Sequence, residues 1–464
     1  MRFAGFAAYL PLGLVVLTGC TVGPNYERPV TATPDAFVES GPWKVAAPKD
    51  HLPKDNWWKI YQDPVLDRLA SQATAASPTL QAAMARLDQA RAVARIERSA
   101  LFPSVEVDAS AQRGRSTNRR ANGSRTGNTF SLPIDLSYEL DLWGRVRRVN
   151  ESARAQAEAS VADYQNVLLG VQADVARSYF SLRSLEAEHA LLVRTLDSRK
   201  QSLQIVKRRF ELGASGDFEV SLAETELATA ENDLLENEQE RTALRLSLAV
   251  LCGVQPELFQ IDVDASLLPD APAIPLALPS ELLERRPDVA AAERRLAATN
   301  ALVGVARAAF FPSIGLTGSA GYASDDLNSL LRWDSRAWSF GPSLSLPIFQ
   351  GGRLQAGHER AQAVYAEALA DYRQSVLVAF RDVEIGLSDL RRLAERRAVL
   401  DRAVASSRRA ADLVGVRYRP GQTGYLDVPA ADRTALAHAR LAVRAREEQL
   451  VASVLLIKAL GGGW

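Results

Sequence analysis

The chain has few of the residues that build chemistry: two cysteines and four histidines in 464 residues. It also has no excess of either charge, since 55 Lys and Arg balance 55 Asp and Glu. A balanced chain projects no net field toward nucleic acid or an anionic surface, so no nucleic-acid partner is expected. His51, His189, His358 and His438 are scattered, no glycine-rich phosphate loop is present, and no metal-ligand spacing occurs. Without an acid–base or nucleophile constellation an enzyme is not expected, nor is a metal or other cofactor. Beyond the N-terminus there is no apolar run of the roughly 18 residues that a spanning helix needs. That absence excludes a helical span and leaves the membrane open to strands.

The first residues, "MRFAGFAAYLPLGLVVLTGC", combine a basic start at Arg2 with a short apolar stretch, which is a secretory signal over 1–19. Its end, Leu17-Thr18-Gly19-Cys20, resembles a bacterial lipoprotein box in which Cys20 becomes the first mature residue and carries a covalent lipid. Thr21 follows rather than Asp, which among lipoproteins favours the outer membrane. Cys252 then has no partner, so no disulfide is expected and it reads as small apolar filler near a helix end.

The chain is duplicated. "ALFPS" at 100–104 returns as "AFFPS" at 309–313, and the match extends back over 77–104 and 286–313, with Pro78 on Pro287. Further on, "RRFELGASG" (208–216) lies over "VRYRPGQTG" (416–424), and "LCG" (251–253) over "LGG" (460–462). The division follows: a lipidated extended segment 20–63, a first repeat 64–253, a Pro-rich connector 254–286, and a second repeat 287–462.

In each repeat the proline of the shared phrase, Pro103 or Pro312, ends a helix and changes the period. Apolar and polar residues then alternate, predicting strands near 103–113, 130–141, 312–323 and 338–349, separated by polar loops at 113–129 and 323–337. Ten-residue strands with one apolar face suit a transmembrane barrel, although strands alone also suit an amphipathic sheet on a soluble core. Phe102, Phe130, Trp143, Phe311 and Trp338 gather at strand ends like an interfacial girdle. A heptad-like seam, interrupted at Ser178, His189 and Arg199, predicts a long helix over 145–211 and a copy over 353–419. Turns containing Gly213, Gly216, Gly421 and Gly424 fold these back onto return helices at 218–251 and 426–460. Four strands cannot close on themselves and open edges are not tolerated in lipid, so copies must join; a dimer or a trimer satisfies the arithmetic.

Four stretches, "CTVGPNYERP" (20–29), "WWKIYQDPVLDRL" (57–69), "SYELDLWGRVRR" (137–148) and "LLERRPDVAAAERRL" (282–296), resemble motifs of the TolC-like outer-membrane factors, specifically the lipoprotein branch of multidrug efflux. The resemblance covers nearly the whole mature chain. It implies a mixed α/β fold in which a homotrimer builds a twelve-stranded barrel in the outer membrane, continuous with a periplasmic helical tunnel. It further implies a periplasmic adaptor and an inner-membrane resistance–nodulation–division pump as partners, with passive export of small molecules as the function. Leu426 and Asp427 match an aperture leucine and a gating aspartate, Tyr418 a tyrosine that ties coils shut, and Glu219 its acidic partner. The glycine turns match the adaptor contact. Ala430 departs from the family, standing where a second gating aspartate is usual. Two alternatives remain at this point: the channel of a type I protein secretion system, and a lipid-anchored coiled-coil adaptor. Glu219 and Asp427 also fit simple first-turn acids that stabilise helix starts.

Overall fold

The structure, a computed structural model, describes residues 21–29, 56–118, 123–262, 268–274, 285–418 and 420–462. The expected signal, Cys20, His51 and parts of the N-terminal segment and connector lie outside them. Seven α-helices are described: α1 Pro64–Ala76, α2 Pro78–Ser99, α3 Arg145–Glu211, α4 Asp217–Leu251, α5 Pro287–Ala308, α6 Arg353–Tyr418 and α7 Asp427–Ala459. The strands are β1 Ser104–Val107, β2 Ser110–Asn118, β3 Gly123–Leu140, β4 Ser313–Ser324 and β5 Arg336–Ser345. Among the described residues no helix is long and apolar enough to cross a membrane.

The chain divides into two compact units that cut across the repeats. One gathers the described residues up to Arg28 with Gln89–Ala157 and Arg294–Leu369; the other holds Pro29–Asp88, Glu158–Glu293 and the chain from Ala370 onward. Duplication copied a stretch of chain, whereas compactness follows which layer each stretch enters.

The first unit carries one antiparallel sheet in the order β1-β3-β4-β5, with β2 also paired to β3. Five strands appear where four were expected because the first is split. Ser104↔Ser137 in β1 and Ser110↔Ser131 in β2 belong to one register, in which Asp108 falls opposite Pro133. Pro133 has no N–H to donate, so the ladder breaks there, although Asp108 N–H still donates to the Pro133 carbonyl at 3.2 Å. The expected polar loop at 113–129 is corrected as well: β2 and β3 stay paired to Asn118↔Gly123. A ladder beyond an apolar band needs no alternation, since both faces are wet and the backbone bonds alone suffice. At the other edge β5 stops at Ser345, short of the expected 349, before Pro347.

Register decides what the sheet presents. Ile134↔Ala320↔Trp338, Leu136↔Gly318↔Phe340 and Leu140↔Ile314↔Leu344 lie on one face with Val105 and Val107. Glu106↔Asp135↔Ser319↔Ser339 and Ser137↔Thr317 lie on the other. The apolar face is uncovered within the chain: Trp338 is 81% exposed, Leu344 70% and Phe340 67%. Gly321 holds the layer close, because a Cβ there would sit 2.2 Å from the Leu132 carbonyl oxygen beside Pro133.

The second unit has a conventional core. Leu66 and Leu69 of α1, Tyr179, Phe180 and Leu182 of α3, Leu248 of α4, Val383 and Leu387 of α6, and Leu450, Val454 and Ile457 of α7 are buried together with Trp57, Trp58 and Tyr61. Asp63 organises this layer. Its carboxylate accepts from the Val65 and Leu66 amides at the start of α1, from the Tyr179 hydroxyl at 2.7 Å and from Arg183 at 3.0 Å. The Trp57–Tyr61 segment adds Trp57 Nε1 donating to Gln172 and a hydroxyl contact of 2.6 Å between Tyr61 and Ser453. Cys252 is fully buried at the end of α4, and burial pushes its thiol up to about 11.

Candidate pore entrance and membrane junction

Two helix turns carry the residues that sequence reasoning singled out. In the first, Gly213 N–H donates to Phe210 and Ala214 N–H to Arg209; in the second, Gly421 N–H donates to Tyr418 and Gln422 N–H to Arg417. Both are the same paired closing motif, with glycine at φ 70 and φ 81 in the left-handed region. Gly216 and Gly424 differ from them. Neither has positive φ, and a Cβ at either would meet nothing within 4 Å. Two of the four glycines thus shape the turns by backbone conformation, and the other two leave open surface.

The acids behave as duplicates too. Ser215 Oγ donates to Glu219 and Thr423 Oγ1 to Asp427, each in the first turn of α4 or α7. Each carboxylate thus takes a hydroxyl from the turn before it and sits at the positive end of its helix. Leu426, 55% exposed, and Asp427 are both uncovered, so the second turn presents an apolar residue and an acid to its surroundings. Tyr418 and Glu219 are not bonded to each other within the chain. The Tyr418 ring instead lies 5.7 Å from Tyr425, with the Arg209 guanidinium 5.0 Å from its centre. Tyr425, directly after the second turn, is buried with Val206 and Ala223 and plugs the space between α3 and α4.

Arg199 interrupts the expected seam because it does different work. It is buried and pairs with Glu226 of α4 at 3.5 Å and Asp432 of α7 at 3.2 Å, while Arg433 reaches Glu226 at 3.4 Å. Burial pushes the Asp432 carboxyl above its ordinary value, opposed by Arg199 and reinforced by Glu226 and Asp412. A second cluster repeats the arrangement, with buried Glu188 of α3 held by Arg440 and Arg444 of α7, and Arg440 also reaching Asp233 of α4. Charged links therefore tie α7 to both α3 and α4. The visible signal was Arg199, one of three polar interruptions of the apolar stripe.

The strand-to-helix junctions lie in the first unit. Pro312 is held by Trp143, whose indole N–H donates to the Pro312 carbonyl at 2.8 Å and whose ring stacks on Phe311 at 4.8 Å. Pro103 precedes β1 directly. Asp141 accepts from the Val146 and Arg147 amides and starts α3, and Glu139 is forked by Arg145. Thr21–Pro29 is strapped across this place. Val22 N–H donates to Trp143, Arg148 to Asn25 at 2.7 Å, and Asn300 to Pro24; a Cβ on Gly144 would strike Thr21. Among the described residues no group of three or more His, Cys, Asp or Glu is placed to hold a metal ion.

Comparison with known proteins agrees with this geometry. A family model described as outer membrane efflux protein matches residues 69–254 and again 278–462. The toluene efflux pump outer membrane protein TtgF of Pseudomonas putida is 34% identical, covering 98% of this chain and 97% of its own. Outer membrane protein OprJ of Pseudomonas aeruginosa is 34% identical, covering 100% and 97%. The Campylobacter jejuni CmeC outer membrane channel superposes with a TM-score of 0.90 at 27% identity, covering 96% of this chain and 95% of that one.

Proposed function

The chain belongs to the outer membrane efflux protein family, and from that premise we propose that it is the outer-membrane duct of a three-part efflux assembly. The observation that carries this is the sheet: an exposed apolar face, a polar opposite face and, among the described residues, no further strand beyond β1, β2 and β5 at its edges. Three copies joined edge to edge give a twelve-stranded wall whose apolar side meets lipid and whose polar side, with Glu106, Asp135 and Glu139, lines a lumen. The helices carry the passage into the periplasm, where a periplasmic adaptor and an inner-membrane resistance–nodulation–division pump supply contact and energy. The duct moves small molecules without performing chemistry on them. A covalent lipid on Cys20 holds each copy at the outer membrane; Thr21 beside the strand-to-helix junction supports that placement.

In this reading Leu426 and Asp427 constrict the entrance, and Tyr418 and Glu219 serve contacts that hold it shut. Asp427→Ala, alone or with Tyr418→Phe, is expected to raise single-channel conductance in planar bilayers. Unchanged conductance in both variants removes these residues from the gate. A detergent-extracted mass other than three lipid-bearing chains removes the architecture.

A further inference from the structure

We infer that the outward top of the barrel carries a built contact for a phosphorylated glycolipid of the outer leaflet, made by Arg113, Arg115 and Arg336. The inference rests on the duct reading, since that reading makes the apolar sheet face the lipid-facing one.

Register gives the face. Ala111 pairs with Phe130, so Arg113 and Arg115, two and four residues on, share the face of Val105, Val107 and Phe130. On the second hairpin Arg336 pairs with Tyr322 and lies on the face of Trp338, Phe340 and Leu344. None of the three pairings is displaced by a bulge. All three arginines are exposed.

Height is read from the same ladder. On β3 the apolar face runs from Leu140 to Phe130, about 33 Å along the strand, or about 25 Å across a bilayer at the tilt usual in barrels. The next outward positions above Phe130 are Asn128 and Thr126, paired with Arg113 and Arg115. The face therefore turns from apolar to cationic within one residue pair, at the level of lipid headgroups. On the second hairpin the same face passes from exposed Trp338 to Arg336 at the start of β5, where the Arg336 guanidinium lies over the Trp333 ring.

Charge supplies the partner. Between Asp108 and Asp135 the sequence holds five arginines and no carboxylate, although the chain as a whole is neutral. The β4–β5 connection is mixed, with Asp325, Asp326 and Asp334 beside Arg332 and Arg336. A lipid-facing cationic stripe directly above an apolar band matches an amphiphile that presents phosphate above acyl chains. Arginine's planar fork binds phosphate in two-point fashion. A small phosphate ion would gain nothing from the apolar band beneath.

The test uses the assembled protein in detergent, with binding of bisphosphorylated lipid A, of its dephosphorylated form and of inorganic phosphate followed by native mass spectrometry. Each arginine near a charged lipid surface contributes about a fivefold factor, so the R113Q/R115Q/R336Q variant is expected to lose on the order of a hundredfold in affinity for the bisphosphorylated lipid. The corresponding triple lysine variant keeps the charge but loses the two-point contact, so its affinity is expected between those of the wild type and the glutamine variant. Equal affinity in the triple glutamine variant, or equal binding of the dephosphorylated lipid, overturns the inference. Displacement by millimolar inorganic phosphate overturns it too, because the site would then recognise a free anion. Bilayer conductance separates this from the duct reading. A wild type that binds the glycolipid but opens no channel sinks the duct alone; a channel-forming wild type whose glutamine variant binds equally well sinks the glycolipid contact alone.

Discussion

Residue-level effects divide the four turn glycines into two kinds. Gly213 and Gly421 hold left-handed φ, where a side chain costs roughly 1–2 kcal/mol; Gly216 and Gly424 do not. Gly213→Ala and Gly421→Ala should each lower the thermal midpoint, and Gly216→Ala and Gly424→Ala should leave it nearly unchanged. Differential scanning calorimetry of the detergent-solubilised protein separates the pairs, and equal effects would mean that backbone conformation is not what these turns select. The repeated turn phrases were visible in the sequence, but φ was not, because glycine is compatible with either region. Cys252 shows the reverse case: a lone cysteine near a helix end was legible as filler, and its buried thiol is that filler.

Helices and strands differed in how much the sequence disclosed. The long helix read as 145–211 spans Arg145–Glu211, since Gly144 and Gly213 flank its ends and no proline lies between them. Strand limits were less legible. Alternation reports only the stretch with one dry face, so the wet extension of the β2–β3 hairpin could not be seen, and the break at Asp108 depended on a proline in the partner strand. Least legible of all was the stitching of α7 to α3 and α4, where a seam analysis treats charge as interruption. Arg199→Met leaves Glu226 with Arg433 alone and Asp432, 35% exposed, without its arginine, so the loss is expected toward the lower end of the roughly 3–5 kcal/mol that breaking a buried pair costs. Arg396→Met, which loses an exposed pair with Glu448, should cost less than about 1 kcal/mol. Urea titration of the two variants checks the contrast; comparable losses would show that the Arg199 cluster is not what holds these helices together.

At the scale of the whole molecule, the protein is unfinished as a single chain. Its sheet leaves an apolar face uncovered and, among the described residues, ends in edges that pair with no further strand. Backbone amides along β5 that point away from β4 should exchange slowly with deuterium in channel-active protein, because a neighbouring copy would pair with them. Fast exchange along that edge in a conducting sample would contradict closure. The duplication made this molecule legible from its sequence, for each half repeats the turn, the strand pair and the long helix of the other.

The strap at Thr21–Pro29 has a mechanical implication. Its backbone and side chains are pinned to Trp143, Arg148 and Asn300, so a hydrocarbon chain attached at the residue before Thr21 would be fixed to the wall instead of hanging from a leash. Such an attachment would set immersion depth, one stop per copy, and would resist axial pull.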